Sequence, residues 1–166
     1  MVSLTHPNDD IKKELYELYK AVHKCTLKKN HKIKILRNIF TYEPWSWRVV
    51  GISKKALKEF ANNNFEYKTR TFERDHYFQS AAKTMEKMLT KFMLYEEWWS
   101  WFWENDKTLL VTKTEHHKKS YDFKNDIIPI DWQLGYFQCS EVVGFVFKKK
   151  NEGKFLENLA KENNLI

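Results

Sequence analysis

Cysteine is scarce in this chain: Cys25 and Cys139 stand alone among 166 residues, with no CxxC pair. That excludes a disulfide framework and a zinc knuckle, and it fits a reducing, intracellular setting. Glycine and proline are few as well, four and three. No Gly/Ser linker, internal repeat or low-complexity boundary divides the chain, and its length suits one compact unit. No apolar run approaches the roughly twenty residues that a membrane span needs. The opening Met1-Val2-Ser3-Leu4-Thr5-His6-Pro7 lacks the apolar core of a signal peptide. The expectation is a cytoplasmic protein with no membrane partner.

Aromatic and basic residues are abundant instead. Lys and Arg number 29 against 22 Asp and Glu, a formal charge of +7 with a pI near 9.2. Such a surplus attracts polyanions, nucleic acid foremost, although a lysine-rich composition produces it too. Seven of the residues are Trp, four of them in Trp98-Trp99-Ser100-Trp101-Phe102-Trp103. Rings of this kind serve a core or a protein interface first, with base stacking the alternative.

Along the chain, Asn8-Asp9-Asp10 is an N-cap signal, and Ile11, Leu15, Leu18, Tyr19 and Val22 recur at helical spacing. The basic run at residues 24–34, with Lys28, Lys29, His31 and Lys32, is a candidate phosphate contact or a solvated loop. Residues 35–40 fit a short helix or a strand. Residues 47–51 read as a short extended or turn segment, and Ser53 caps a small helix whose exposed Lys54, Lys55 and Lys58 are candidate DNA contacts or solvated surface. Residues 65–74 are rich in strand formers. Residues 81–103 read as one long or two consecutive helices, with Ala82, Met85, Met88, Leu89 and Phe92 on one stripe.

Asn105-Asp106 ends that helical stretch, residues 108–112 form a short strand, and Thr112-Lys113-Thr114-Glu115 is a capping box that starts a helix with His116 and His117. Residues 127–132 are extended up to the proline. Residues 142–147 are a strand candidate, and a charged amphipathic helix runs over 152–163. The pattern predicts an α+β fold, a mainly helical single domain around a small ββα unit with short antiparallel strands. Its helical part lies at about 1–65, the ββα core with a Trp-rich insertion at 66–120, and strands and a helix at 121–166.

The chemistry concentrates in Arg74-Asp75-His76 and in residues 105–117. A neutral imidazole takes a proton from water, and Asp75 offers a hard oxygen of the kind Mg²⁺ prefers. A histidine on the following helix would complete the ligand set. The same residues also suit a polar strand end, with Asp75 paired to Arg74 or capping the next helix. His116 and His117 point about 100° apart, so at most one of them faces a given metal.

The order of strand, Asp-His, connection, Asn, strand and helix with His resembles the HNH, or His-Me finger, endonucleases over residues 70–120. The resemblance implies a DNA endonuclease with one Mg²⁺ or Mn²⁺, of restriction or homing type. Carried over, Asp75 is a metal ligand, His76 the general base, Asn105 the residue that constrains the base, and His116 or His117 the second ligand. Arg70, Arg74, Lys113, Lys118 and Lys119 join the α-helical lysines as candidate DNA contacts. A homodimer through the Trp-rich stretch would let both strands be cut.

The chain departs from that pattern in two respects: its connection is helical and long, and bracing cysteine pairs are absent. Asn105 also competes with Asp106. Asp131 with Glu152-Gly153-Lys154 fits another nuclease pattern, D…ExK, which needs ExK on a core strand. The reading from a different class is a non-catalytic nucleic-acid-binding or protein-interaction module built on the Trp-rich helix.

Overall fold

The computed structural model describes residues 6–41, 43, 45–68, 70–117, 125–137 and 149–166. In chain order the elements are α1 (Asp9–Lys24), α2 (Lys29–Thr41), β1 (Val49–Ser53), α3 (Lys54–Asn62), β2 (Phe72–His76), α4 (Ala81–Thr90), α5 (Tyr95–Asn105), β3 (Thr108–Thr112), α6 (Lys113–His117), β4 (Ile127–Pro129) and α7 (Lys149–Glu162). Among the described residues, seven α-helices and one small four-stranded mixed sheet make the fold α+β and mainly helical. Among the described residues no helix is long and apolar enough to cross a membrane.

The helix starts are written locally. The Asn8 side chain accepts from the Ile11 N–H at 2.9 Å, and Asp9 and Asp10 occupy the first turn of α1, where the helix dipole favours negative charge. The Ser53 hydroxyl likewise accepts from the Ala56 N–H at 3.0 Å. The basic run that follows α1 is largely helical, and residues 35–40 lie within α2.

Two cores result. One lies among α1, α2, α4 and α5 and centres on fully buried Trp98, Tyr19, Phe40 and Phe102 with Trp45 and Met88. The Tyr19 hydroxyl donates to the Met88 carbonyl at 3.0 Å and accepts from the Met93 N–H at 2.9 Å, so a buried polar atom is fully used. Trp98 and Trp99 are buried, with Trp101 and Trp103 packed against the same cluster. The tryptophan run is therefore core, and a base-stacking platform or twofold contact through this helix loses its two most buried rings.

The second core lies between the sheet and α3 with α7, where Ile52, Leu57, Phe60, Phe72, Leu110, Ile128 and Leu156 meet. Strand order is β2-β3-β1-β4. β2 and β3 are antiparallel, as are β1 and β4, but β1 runs parallel to β3. The expected short antiparallel strands are present, and the β1–β3 pair adds a parallel one. The chain between β1 and β3 holds α3, β2, α4 and α5, ample length for a parallel crossover. All five positions of β3 are buried, as its central place demands.

The predicted extended stretch from residue 65 is shorter than expected, and β2 begins at Phe72. Asn64 and Phe65 both take left-handed φ, 52° and 55°. The Phe65 N–H reaches back to the Phe60 carbonyl at 2.8 Å, which closes α3 in the manner of a Schellman turn. The strand expected at 142–147 lies outside the described residues.

Candidate active site

The β2–β3 pair and α6 form a strand-strand-helix unit despite the two helices inserted between the strands. Register places Glu73 opposite Val111, Asp75 opposite Leu109 and His76 opposite Thr108. Beyond the pair, the Tyr77 N–H still bonds the Lys107 carbonyl at 2.9 Å, so the insertion leaves and returns through a closed neck.

Thr112 and Glu115 then start α6 as a capping box. The Glu115 carboxylate accepts from the Thr112 N–H at 2.8 Å and from its hydroxyl at 2.8 Å. The same oxygen accepts from the Ser53 hydroxyl at 2.8 Å, which ties α6 to the end of β1 and fixes where His116 emerges.

His116 turns back onto β2. Its Nε2 lies 3.2 Å from Glu73 Oε2 and its Nδ1 lies 3.5 Å from Asp75 Oδ1. Glu73 and Asp75 are two residues apart and so leave the strand on one face. A neutral imidazole has one N–H, yet both ring nitrogens here face a carboxylate, so a cation, whether proton or metal, suits one of the two gaps. Two ligands on one metal sit about 3 Å apart at ordinary Zn–N or Mg–O bond lengths. Asp75 and His116 fit that requirement, and Mg²⁺ is commonly held by one or two protein ligands while it keeps its waters. Among the described residues no group of three or more His, Cys, Asp or Glu converges as a metal site. His117 does not join them: among the described residues no ion pair ties it to Glu73 or Asp75, and its ring lies 5.6 Å from that of His116.

His76 leaves β2 on the opposite face from Asp75. Its ring meets Trp47 edge-on at 4.6 Å and lines a small cavity with Arg37, Thr84, Asn105 and Asp106. Burial, with lesser contributions from Arg37 and His116, pushes its pKa down to about 4. Because β2 ends at His76, the imidazole and the Asp75 carboxylate can address one ligand only around the end of the strand.

Asn105 lines the same cavity, but its amide donates to the Trp101 carbonyl at 2.8 Å and its oxygen accepts from Gln79 at 3.1 Å. Among the described hydrogen bonds none joins it to His76, so it shapes the cavity wall. Asp106 is structural: its carboxylate accepts from the Trp47 N–H at 2.7 Å and lies 3.8 Å from buried Arg48. Burial outweighs Arg48 and raises the Asp106 pKa to about 7. Arg48 in turn stacks on Trp103, 3.4 Å from the ring centroid.

The expected DNA contacts separate into three groups. Arg74 is removed from the set: it is buried and donates to the Trp47 carbonyl at 3.1 Å and to the Phe137 carbonyl. Its strand position, with Phe72 on the same face, points it inward. Lys54 pairs with Asp126 at 3.1 Å and Lys55 donates to the Thr114 hydroxyl at 3.1 Å, both on the exposed surface. Arg70, Lys58 and Lys113 are exposed, while Lys118 and Lys119 lie outside the described residues.

The D…ExK pattern fails on position. Asp131 caps a short 3-10 turn at Trp132–Leu134, and Glu152 and Lys154 lie within α7 rather than on a strand.

Sequence reasoning passed over Glu73, Arg37 and Trp47 as site residues. Glu73 carried a legible signal, its two-residue spacing from Asp75. The other two come from distant elements and carried none. No family model, curated protein or solved structure matches the chain.

Proposed function

We propose that this chain is a metal-dependent DNA endonuclease of the HNH kind, with Asp75 and His116 as the protein ligands of one Mg²⁺ or Mn²⁺ and His76 as general base. The observation that carries the reading is the return of His116 by α6 to within 3.5 Å of Asp75, the residue beside His76. A divalent cation held there would polarise the scissile phosphate and stabilise charge on the leaving 3′ oxygen.

His76 accepts a proton from the attacking water. The hydroxide oxygen bonds to phosphorus while the P–O3′ bond breaks and its electron pair leaves with the 3′ oxygen. A base must hold a free lone pair, and a pKa near 4 keeps the ring neutral at physiological pH. A phosphate anion brought beside the ring raises its proton affinity, because an opposite charge favours the protonated form. The excess of 29 basic over 22 acidic residues favours association with a polyanion, and exposed Lys58, Arg70 and Lys113 are the candidate contacts.

Nicking of supercoiled DNA in Mg²⁺ or Mn²⁺ tests the proposal. The expected result is discrete products abolished by EDTA and reduced about 10²- to 10⁴-fold in His76→Ala, the usual contribution of a general base. Folded wild type that binds DNA in a salt-dependent way, yet cuts no DNA with either metal, would overturn it in favour of a binding module.

A further inference from the structure

We propose that the open pocket beside the β2–β3 neck takes one unpaired base of a DNA strand against the rings of Phe78 and Trp132, with Lys107 at its phosphate. The inference rests on the nucleic-acid half of the reading above and requires no metal.

The pocket encloses about 490 Å³ and is lined by Tyr77, Phe78, Lys107, Ile127 and Trp132 among others, an ordinary size for a small-molecule site. It lies on the Asp75 side of the sheet. Leu109 is directly opposite Asp75, and a Cβ added at Gly51 would meet both Leu109 Cδ2 and Ile127 Cγ2. Asp75, Leu109 and Ile127 therefore share one face, while Ile128 joins the core on the other. The Tyr77 N–H bond to the Lys107 carbonyl extends the ladder one step, which puts Tyr77 roughly 7 Å along the strand from Asp75. A nucleic-acid strand laid across this face passes both.

The rings are set in place before a ligand arrives. Phe78 is 54% exposed, yet it is braced edge-on against Tyr77 with centroids 4.6 Å apart. Trp132 meets Trp103 edge-on at 5.6 Å, and Trp103 is itself stacked on buried Arg48. Aromatic side chains of this kind stack any of the four bases. Lys107 supplies the charge: it pairs with exposed Glu104 at 2.7 Å, a surface pair of little net strength that a phosphate can replace. An apolar segment of a protein partner would use the rings but give no role to Lys107 or to the +7 charge of the chain.

Fluorescence anisotropy of the full chain in EDTA, where cleavage is silent, compares labelled oligo(dT) with an abasic strand of equal length and equal phosphate count. Wild type is expected to bind oligo(dT) about 5- to 100-fold more tightly, the usual contribution of a stacked base. Phe78→Ala, which removes an exposed ring and opens no core cavity, and Trp132→Ala should each erase most of that preference, and Trp132→Phe should keep it. Lys107→Ala should instead weaken both strands and lower the slope of log affinity against log salt by about 0.7, the share of one phosphate. Equal wild-type affinity for the two strands, or a preference untouched in both alanine variants, overturns the pocket and leaves the nuclease reading standing. A chain that binds neither strand nor duplex DNA overturns both readings and leaves the rings to a protein partner.

Discussion

Substituting His76 with Gln should change the pH dependence of stability in a defined direction. The folded chain lowers the His76 pKa from 6.5 to about 4. Between those values the unfolded chain binds a proton that the folded chain refuses. The contribution of neutral His76 is therefore complete above pH 6.5 and is lost as pH falls toward 4. At about 1.4 kcal/mol per pH unit the full shift corresponds to about 3 kcal/mol, and partial solvent access reduces it to about 2 kcal/mol.

Asp106, which lines the same cavity, acts with the opposite sign. Its folded pKa is raised from 3.8 to about 7, so its contribution is complete below pH 3.8 and is lost as pH rises through 7. The wild-type profile is then shallow because the two slopes oppose. His76→Gln exposes the Asp106 slope, and Asp106→Asn exposes the His76 slope. Urea unfolding in EDTA, followed by tryptophan fluorescence from pH 4 to 7, measures both. Packing lost in His76→Gln gives only a constant offset. A wild-type minus His76→Gln difference that stays flat across this range would refute the burial argument.

Three further outcomes follow from the geometry. Asp106→Ala should cost about 1–3 kcal/mol in denaturant unfolding, because it leaves the Trp47 N–H (2.7 Å from the carboxyl oxygen) without its acceptor. Gly51→Ala should cost about 1–3 kcal/mol, since the new Cβ would lie 2.5 Å from Ile127 Cγ2 and 3.1 Å from Leu109 Cδ2; equal melting temperatures would show that β4 yields instead. In nicking assays His116→Ala should abolish metal-dependent cleavage while His117→Ala leaves it within about twofold, as expected for a side chain outside the Asp75–His116 contact; equal losses would put both imidazoles at the site.

What the sequence made legible was local. Asn8, Ser53 and the Thr112 to Glu115 box each act within three residues of the helix they start, so pattern alone located them. Asn105-Asp106 ends α5 for the same reason. The approach of His116 to Asp75 was readable only through the resemblance in motif order, because its partners meet across a strand pair and a helix. The role of Arg74 was misread: its charge suggested DNA, while its burial against the Trp47 and Phe137 carbonyls depends on chain 27 and 63 residues away. The Arg48–Asp106 pair and the parallel β1–β3 register were invisible for the same physical reason, since neither leaves a trace in local spacing.

The long connection between Asp75-His76 and Thr108, the feature of the sequence that fits a compact strand-strand-helix unit least well, has a structural use. α4 and α5 supply Ala81, Thr84, Met85, Phe102 and Asn105 to the wall around His76, and their outer faces build the Trp98 core with α1 and α2. The Tyr77 to Lys107 bond lets the strands pair as though the insertion were a short turn. With no cysteine pair to brace the unit, helix packing holds it. The same packing desolvates His76 and sets its protonation. Stability and the protonation of His76 thus depend on one core, so a cavity-forming change such as Phe102→Ala should both destabilise the chain and return the His76 pKa toward 6.5.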